Sequence, residues 1–212
     1  MAPQKAGPPK IVATDYLEVS PHESWITDNA FNESGCKTDF YRIVDFFLLH
    51  SPCKFSSYTP RTLESLGWSS PWLSSRFRVE FDNVPGFIDG QNFRFQESKK
   101  QFLSEWRSYG VKWIPNPPFY EFAVFVSAGE GNPRMDLLHR IRNSLAHGRY
   151  AIKKHNKETF VFFEDVSRIQ GLPGIYVLAR ICLKLQTLIN WIALFEKKSP
   201  EAKKLSSLYS QP

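Results

Sequence analysis

The residues best suited to chemistry lie in one short run, RIRNSLAHG at positions 140–148. Arginine stays charged and binds phosphate oxygens through two parallel N–H groups, histidine exchanges a proton near neutral pH, and asparagine can orient a neighbouring group. Arg142, Asn143 and His147 could together cleave RNA without a metal ion. A base takes the proton of the 2′-hydroxyl, the 2′-oxygen attacks the adjacent phosphorus, and an acid protonates the leaving 5′-oxygen. The guanidinium would stabilise the charge that builds on the phosphoryl group.

A helix over residues 133–147 must position these side chains. At 100° per residue, the leucines and the isoleucine of this segment form one stripe that faces the core. Arg142, Asn143 and His147 fall on the remaining polar face, where the small Ala146 would allow another body to approach closely. A helix that ends in His-Gly is also ordinary, because glycine suits the left-handed position after the last turn. The run alone therefore leaves a purely structural interpretation open.

A single histidine fills only one of the two proton-transfer roles, because cleavage is most simply served by both a base and an acid. A symmetric dimer whose polar faces meet across a two-fold axis would supply the second histidine. We therefore expect a homodimer formed across the face that bears Arg142 and His147. The spacing itself is weak, since Arg134 and His139 repeat it in the same segment. The pair Arg142 and His147 differs from that repeat, because asparagine follows its arginine, alanine precedes its histidine and glycine follows its histidine.

The stretch RNSLAHG, residues 142–148, resembles the signature of the HEPN superfamily (higher eukaryotes and prokaryotes nucleotide-binding domains). That signature is arginine, a polar residue that is often asparagine, three variable residues and histidine. The resemblance is greatest to stand-alone prokaryotic HEPN proteins of defence or toxin–antitoxin loci. It implies a helical bundle whose dimer forms one composite site for metal-independent endoribonuclease cleavage. By this resemblance Arg142 would stabilise the scissile phosphate, Asn143 would position the phosphate or the histidine, and His147 would be the general acid/base.

The segments around the motif helix predict a mainly α fold, an antiparallel helical bundle in a single domain over residues 11–197. The resemblance to the HEPN signature implies that this bundle is HEPN-like. Apolar residues at helical spacing predict three further helices, at 37–50, 93–109 and 174–198. Alternating residues around a polar turn predict a small β-hairpin after the motif helix, with strands at 150–153 and 159–164.

The remaining segments give weaker signals. Residues 51–92 are rich in Ser, Pro, Gly and Trp and are interpreted as an irregular insertion, with a strand at 76–81. Residues 119–127 fit either a helix or a strand, and residues 11–19 fit a strand or an extended arm. We expect a disordered N-terminal tail at 1–10 and a flexible C-terminal tail at 198–212.

Composition excludes several classes of protein. The chain has 212 residues, of which 42% are hydrophobic, so a sizeable core is expected. No uncharged apolar run reaches the roughly 18 residues of a membrane span, and the first residues lack the apolar region of a secretory signal. Three cysteines without close spacing argue against a disulfide framework and against a cysteine-based zinc site. We expect no membrane partner, no metal or other cofactor, and a cytoplasmic location.

The formal net charge of +6 permits a polyanionic partner. Arg149, Lys153 and Lys154 follow the motif directly and would make a phosphate-binding rim, and His139 could touch RNA from the same polar face as His147. The sequence thus predicts an RNA-cleaving toxin or anti-phage effector, with an antitoxin or a sensor protein as a further partner. Two alternatives stay open. One is a non-catalytic HEPN-like dimer that holds RNA or a protein, and the other is a binder of small nucleotides, which no glycine-rich phosphate loop supports.

Overall fold

A mixed six-stranded β-sheet is the centre of the fold in this computed structural model, which describes residues 18–19, 37–53, 63, 65–68, 75–97, 119–169 and 173–197. Its strands in chain order are β1 Glu18–Val19, β2 Phe93–Gln96, β3 Phe122–Val126, β4 Tyr150–His155, β5 Glu158–Ser167 and β6 Ile175–Lys184. Along the sheet the order is β2-β3-β6-β5-β4, with β1 paired separately to β6. The β2–β3 pair is parallel, and the other pairs among the described strands are antiparallel.

Helices cover one face of this sheet. Those in the described ranges are α1 Lys37–Val44, which continues as a π-helical turn over Asp45–Leu49, α2 Ser75–Asn83, α3 Pro133–Ala146 and α4 Leu185–Glu196. α3 and α4 lie against the strands, and α1 and α2 pack on α4. Trp191 of α4 stacks on Phe81 of α2 with ring centroids 4.2 Å apart, an arrangement that stabilises by about 1 kcal/mol beyond its buried area. None of these helices is long and apolar enough to cross a membrane.

Both faces of the sheet are buried. All five residues of β3 are buried, and their side chains alternate between two apolar clusters. Ala123 and Phe125 belong to the cluster on the helix-covered face, whereas Phe122, Val124 and Val126 belong to the cluster on the opposite face. A strand covered on both faces reads as a continuous apolar run and shows no period of two. This explains why residues 119–127 fitted a helix and a strand equally well.

The prediction of a mainly helical bundle is wrong, chiefly because of the apolar run at 174–198. That run forms strand β6 and then helix α4, which follow each other directly at Lys184 and Leu185. Every residue of β6 from Tyr176 to Leu183 is buried. Because β6 is buried on both faces, its sequence is apolar on both sides apart from Arg180, and an all-round apolar segment is also typical of a helix at the centre of a bundle.

The described part of residues 51–92 is more regular than the predicted insertion. The segment predicted as a strand at 76–81 lies in helix α2, where Phe77 and Phe81 are buried one turn apart and Val79 is 50% exposed. The indole Nε1 of Trp68 donates a hydrogen bond to the carbonyl oxygen of Phe195 at 2.9 Å. These contacts make this segment part of the main core, so the interpretation as an irregular insertion is wrong for the residues described.

The other predicted elements have mixed outcomes. The predicted helix at 93–109 begins instead as strand β2, and its residues beyond 97 lie outside the described ranges. The helices predicted at 37–50 and 133–147 are confirmed as α1 with its π-helical turn and as α3. Of residues 11–19 the structure describes the two that form β1, and both predicted tails, 1–10 and 198–212, lie outside the described residues.

The β-hairpin after the motif helix is present as β4 and β5, but these are two strands of the large sheet and not a small separate element. Its turn is formed by Asn156 and Lys157, whose φ angles of +49° and +67° are typical of a type I′ turn. Along the chain, the motif helix α3 lies between β3 and β4. Because the hairpin brings β5 under it, α3 packs over β3 and β5.

Candidate functional site

The first turn of α3 is fixed by side chains around it. Asn132 is the N-cap residue, and its Oδ1 accepts a hydrogen bond from the backbone N–H of Arg134 at 2.9 Å, a contact that stabilises a helix by about 1 kcal/mol. The buried Asp136 holds the loop that enters the helix, because its Oδ1 accepts from the backbone N–H groups of Ala128 at 2.6 Å and Glu130 at 3.1 Å. The start of α3 is therefore fixed relative to the end of β3.

The last turn of α3 closes in a Schellman motif. Gly148 has a φ of +66° and donates its N–H to the carbonyl oxygen of Leu145 at 3.1 Å, and Arg149 donates to the carbonyl oxygen of Ser144 at 2.9 Å. His147 is the C-cap residue, and it is exposed. The glycine thus has the structural role that its position predicts. The motif does not require an imidazole at the C-cap, so the cap itself does not explain why this residue is histidine.

Arg140 fastens the middle of α3 to the sheet. Its side chain is 6% exposed, and its Nη1 donates to Oδ2 of Asp165 on β5 at 2.7 Å. Its Nε donates to the carbonyl oxygen of Val126 at 3.0 Å and its Nη2 to that of Ser127 at 2.7 Å, at the end of β3. We call these three contacts the Arg140 clamp. The clamp sets the height and rotation of α3 over two strands, and hence the place of every residue in the motif.

A chain of hydrogen bonds continues from the clamp to Arg142. Nδ2 of Asn143 donates to the same Oδ2 of Asp165 at 3.4 Å, and Oδ1 of Asn143 accepts from Nη1 of Arg142 at 3.0 Å. Arg142 and Asn143 are both half-buried. Because linked hydrogen bonds orient one another, the sheet helps to hold the guanidinium of Arg142 in one position. An oriented guanidinium at a partly exposed helix face is suited to binding a phosphate group.

A hollow of about 460 Å³ opens beside the exposed imidazole, and we call it the His147 hollow. Its lining combines cationic, hydroxyl and apolar side chains: His147, Arg149, Val166, Ser167, Arg168 and Ile175. Ser167 and Arg168 lie at the end of β5, and Ile175 begins β6. The hollow therefore lies where the last turn of α3 faces the ends of two sheet strands.

One buried carboxylate behind the hollow binds two guanidinium groups. Oε1 of Glu164 accepts from Nε of Arg149 at 3.1 Å, and its Oε2 accepts from Nε of Arg180 at 2.9 Å. Glu164 and Arg180 are fully buried. Burial lowers the pKa of Arg180 while the charge of Glu164 raises it, and an arginine remains protonated at physiological pH in either case. Glu164 thus holds the guanidinium of Arg149 at the wall of the hollow.

The structure does not bring the other predicted binding residues to the hollow. Nδ1 of His139 lies 2.9 Å from Oε1 of Glu130, and the two side chains are 12% and 1% exposed. Lys153 and Lys154 lie further along β4 toward the hairpin turn, and as consecutive strand residues they point to opposite faces of the sheet. Of the predicted rim, Arg149 lines the hollow, and it does so while ion-paired with a buried carboxylate.

Sequence reasoning missed the part of the site that β5 supplies. Glu164, Asp165 and Arg168 come next to α3 only through strand pairing, so no local spacing connects them with the motif. One signal was nevertheless present: two adjacent carboxylates interrupt the apolar run FVFFEDV at 160–166. Carboxylates inside a buried strand require cationic or hydrogen-bonding partners, and Arg140, Arg149 and Arg180 are those partners here.

The described residues contain no group of three or more His, Cys, Asp or Glu side chains placed to hold a metal ion. Comparison with known proteins gives no relative, since no protein family, no curated protein and no solved structure matches the chain. The resemblance to the HEPN signature therefore concerns residues 142–148, and the helical bundle that it implies is not the fold described above.

Proposed function

We propose that the chain is an endoribonuclease that works without a metal ion, as a homodimer in which each subunit contributes Arg142, Asn143 and His147 to one composite site. The observation that carries this proposal is the guanidinium of Arg142, oriented by Asn143, on the same helix as the exposed imidazole of His147. A fixed cation for the phosphoryl oxygens and a titratable group for proton transfer are the two requirements of 2′-hydroxyl attack.

In the proposed reaction, His147 of one subunit takes the proton from a 2′-hydroxyl group, and the 2′-oxygen then attacks the adjacent phosphorus. The bond from phosphorus to the 5′-oxygen breaks, and the second imidazole gives that oxygen its proton. Arg142 stabilises the negative charge on the non-bridging oxygens, and Asn143 keeps the guanidinium in place. The products are a 2′,3′-cyclic phosphate and a 5′-hydroxyl. DNA is not a substrate, because it lacks the attacking hydroxyl group.

The geometry of a single α3 favours participation of a second subunit. Arg142 and His147 leave the helix five residues apart, about 7.5 Å along its axis and about 140° around it. Ala146 and Gly148, beside the histidine, are exposed and small, so another subunit can approach this end of the helix closely. In a symmetric pair, the histidine of each subunit would meet its mate and both arginines would flank the phosphate. The resemblance to the HEPN signature further suggests a cytoplasmic toxin or defence effector, held in check or triggered by an antitoxin or sensor protein.

Cleavage of single-stranded RNA by the purified chain, with EDTA present, tests the proposal. Wild type should produce 2′,3′-cyclic phosphate ends, and Arg142→Ala and His147→Ala should each lower the rate by about 10²-fold or more. Light scattering should show dimers for wild type and both variants. Arg78→Ala and His155→Ala are matched controls, because both residues are exposed and lie on other elements, and both variants should cleave normally.

Two results would contradict the proposal. A strict requirement for added magnesium would refute the metal-independent mechanism. If wild type and His147→Ala bind RNA equally and neither cleaves it, the chain is the non-catalytic binding dimer instead.

A further inference from the structure

We propose that the His147 hollow binds one nucleotide of a single-stranded RNA, with its phosphate on Arg168 and its base against Val166 and Ile175. The inference rests on the proposed ribonuclease function, since it places this nucleotide next to the phosphate that is cut. It adds to that function a substrate-binding subsite on the sheet, distinct from the helix residues that perform the cleavage.

The size and chemistry of the hollow fit a nucleotide. Its volume of about 460 Å³ lies within the range of small-molecule sites. Val166 and Ile175 are half-buried and apolar, whereas Arg168 and Ser167 are exposed and polar. A nucleotide has the same division, because its base has apolar faces and its phosphate is charged. Apolar packing of a base against such a wall uses no hydrogen bond to the base edges, so it does not depend on which base is bound.

The charges favour a phosphate over a neutral ligand. Among the described residues, the side chains that line the hollow include two arginines and no carboxylate. Glu164, which lies behind it, is fully buried and accepts hydrogen bonds from Arg149 and Arg180. Arg149 therefore stays fixed as an electropositive wall. Arg168 differs from it, because it is exposed and forms no ion pair with any carboxylate of the described residues. Arg168 can thus turn toward a ligand without breaking a buried contact.

The position of the hollow connects it with the proposed chemistry. His147 lines the hollow and is the C-cap residue of α3, the helix that carries Arg142. A nucleotide in the hollow consequently has its sugar and phosphate beside the imidazole that would move the proton. The subsite would therefore hold the RNA strand on one side of the scissile bond, while Arg142 binds the scissile phosphate itself.

Binding of a fluorescent, fully 2′-O-methylated RNA 12-mer to the full-length chain tests the subsite, because this probe cannot be cleaved by 2′-hydroxyl attack. Fluorescence anisotropy at several salt concentrations gives the affinity and its salt dependence. We expect Arg168→Ala to weaken binding about tenfold and to lower the slope of log K against log salt by about 0.7. Arg168→Lys should keep the slope, and Arg78→Ala should behave as wild type. Ile175→Ser should weaken binding without changing the slope, with the fold of each variant checked by circular dichroism.

The outcomes separate the subsite from the ribonuclease proposal. If Arg168→Ala binds the probe with the affinity and slope of wild type, the subsite is refuted whether or not the chain cleaves RNA. If wild type never cleaves unmodified RNA but Arg168→Ala and Ile175→Ser still weaken binding of the probe, the subsite stands and the ribonuclease proposal fails. Inorganic polyphosphate provides the last comparison. If Arg168→Ala weakens binding of polyphosphate and of RNA equally while Ile175→Ser affects neither, the hollow binds phosphate alone and the place assigned to the base is wrong.

Discussion

Replacement of Arg140 and of Arg142 by alanine should affect different properties, although the two arginines are two residues apart in one motif. Arg140 is 6% exposed and makes the three contacts of the clamp, whereas Arg142 is half-buried and donates to Asn143, a neutral neighbour on the same helix. Arg140→Ala leaves the carboxylate of Asp165, which is 2% exposed, buried without its cation. We therefore expect Arg140→Ala to lower stability and Arg142→Ala to lower activity.

The magnitudes follow from the burial of the contacts. Removal of one partner from a buried ion pair costs about 3–5 kcal/mol, and the two strand carbonyls that lose their donor add to that cost. For Arg140→Ala we expect a loss of about 4 kcal/mol in the free energy of unfolding. In a chain of this length, a loss of that size lowers Tm by about 8–16 °C. Of what Arg142→Ala removes, the hydrogen bond to the neutral acceptor Asn143 accounts for about 1 kcal/mol.

Urea unfolding followed by tryptophan fluorescence measures these differences, since Trp68 and Trp191 are buried. If Arg140→Ala does not fold, Arg140→Lys keeps the charge, loses part of the hydrogen bonding, and should show an intermediate loss. The double variant with Asp165→Ala should lose less than the sum of the two single losses, because it removes both partners of the ion pair. The reasoning is refuted if Arg140→Ala and Arg140→Lys unfold at the wild-type midpoint. Equal losses for Arg140→Ala and Arg142→Ala would make Arg142 a structural residue and remove it from the proposed site.

Two further predictions concern other parts of the molecule. Lys157→Gly should raise the free energy of unfolding by about 0.5–1 kcal/mol. The reason is that φ is +67° at this hairpin position, a conformation that glycine adopts without strain. A urea midpoint lower than that of wild type would contradict this prediction. Burial raises the pKa of the Cys53 thiol from 9.0 to about 11 and raises the pKa of Cys182 well above its usual value. Because the thiols of the unfolded chain ionise first, stability should fall as the pH rises from 9 toward 11. Peptide mapping after iodoacetamide treatment at pH 8 should find neither thiol labelled in the native protein, and prompt labelling of Cys53 would show that it is accessible.

The sequence predicts the local elements of this fold better than their assembly. The helix of the motif, its end at Gly148 and the hairpin that follows it are all determined by short-range preferences, so periodicity and turn residues identify them. β6 was misread because it is buried on both faces, so that its sequence is apolar apart from Arg180 and Lys184. The apolar residues of α2 alternate as in a strand, at Phe77, Val79 and Phe81. Phe77 and Phe81 are also one helical turn apart, and the helix buries both of them while leaving Val79 exposed.

The same limit applies to the candidate site. The helical period places Arg142, Asn143 and His147 away from the apolar stripe of α3, as the structure does. It cannot reveal that Asp165 binds Arg140 and Asn143 together, because those contacts depend on the register of β5 under the helix. Nor can it show that Arg149 is ion-paired with Glu164 rather than exposed on a rim, since this contact depends on how β5 pairs with β4, the strand that follows Arg149.

The Arg140 clamp also limits how such a protein could be regulated. Sliding or turning α3 would break an ion pair and two hydrogen bonds at once, so the motif residues have one resting arrangement. A control mechanism that works by distorting this helix would therefore be energetically expensive. Control through association would need less free energy. The site would be complete when two subunits meet, unless another molecule first occupies the exposed end of the helix. In that case, the cellular concentration of the protein becomes the regulating variable.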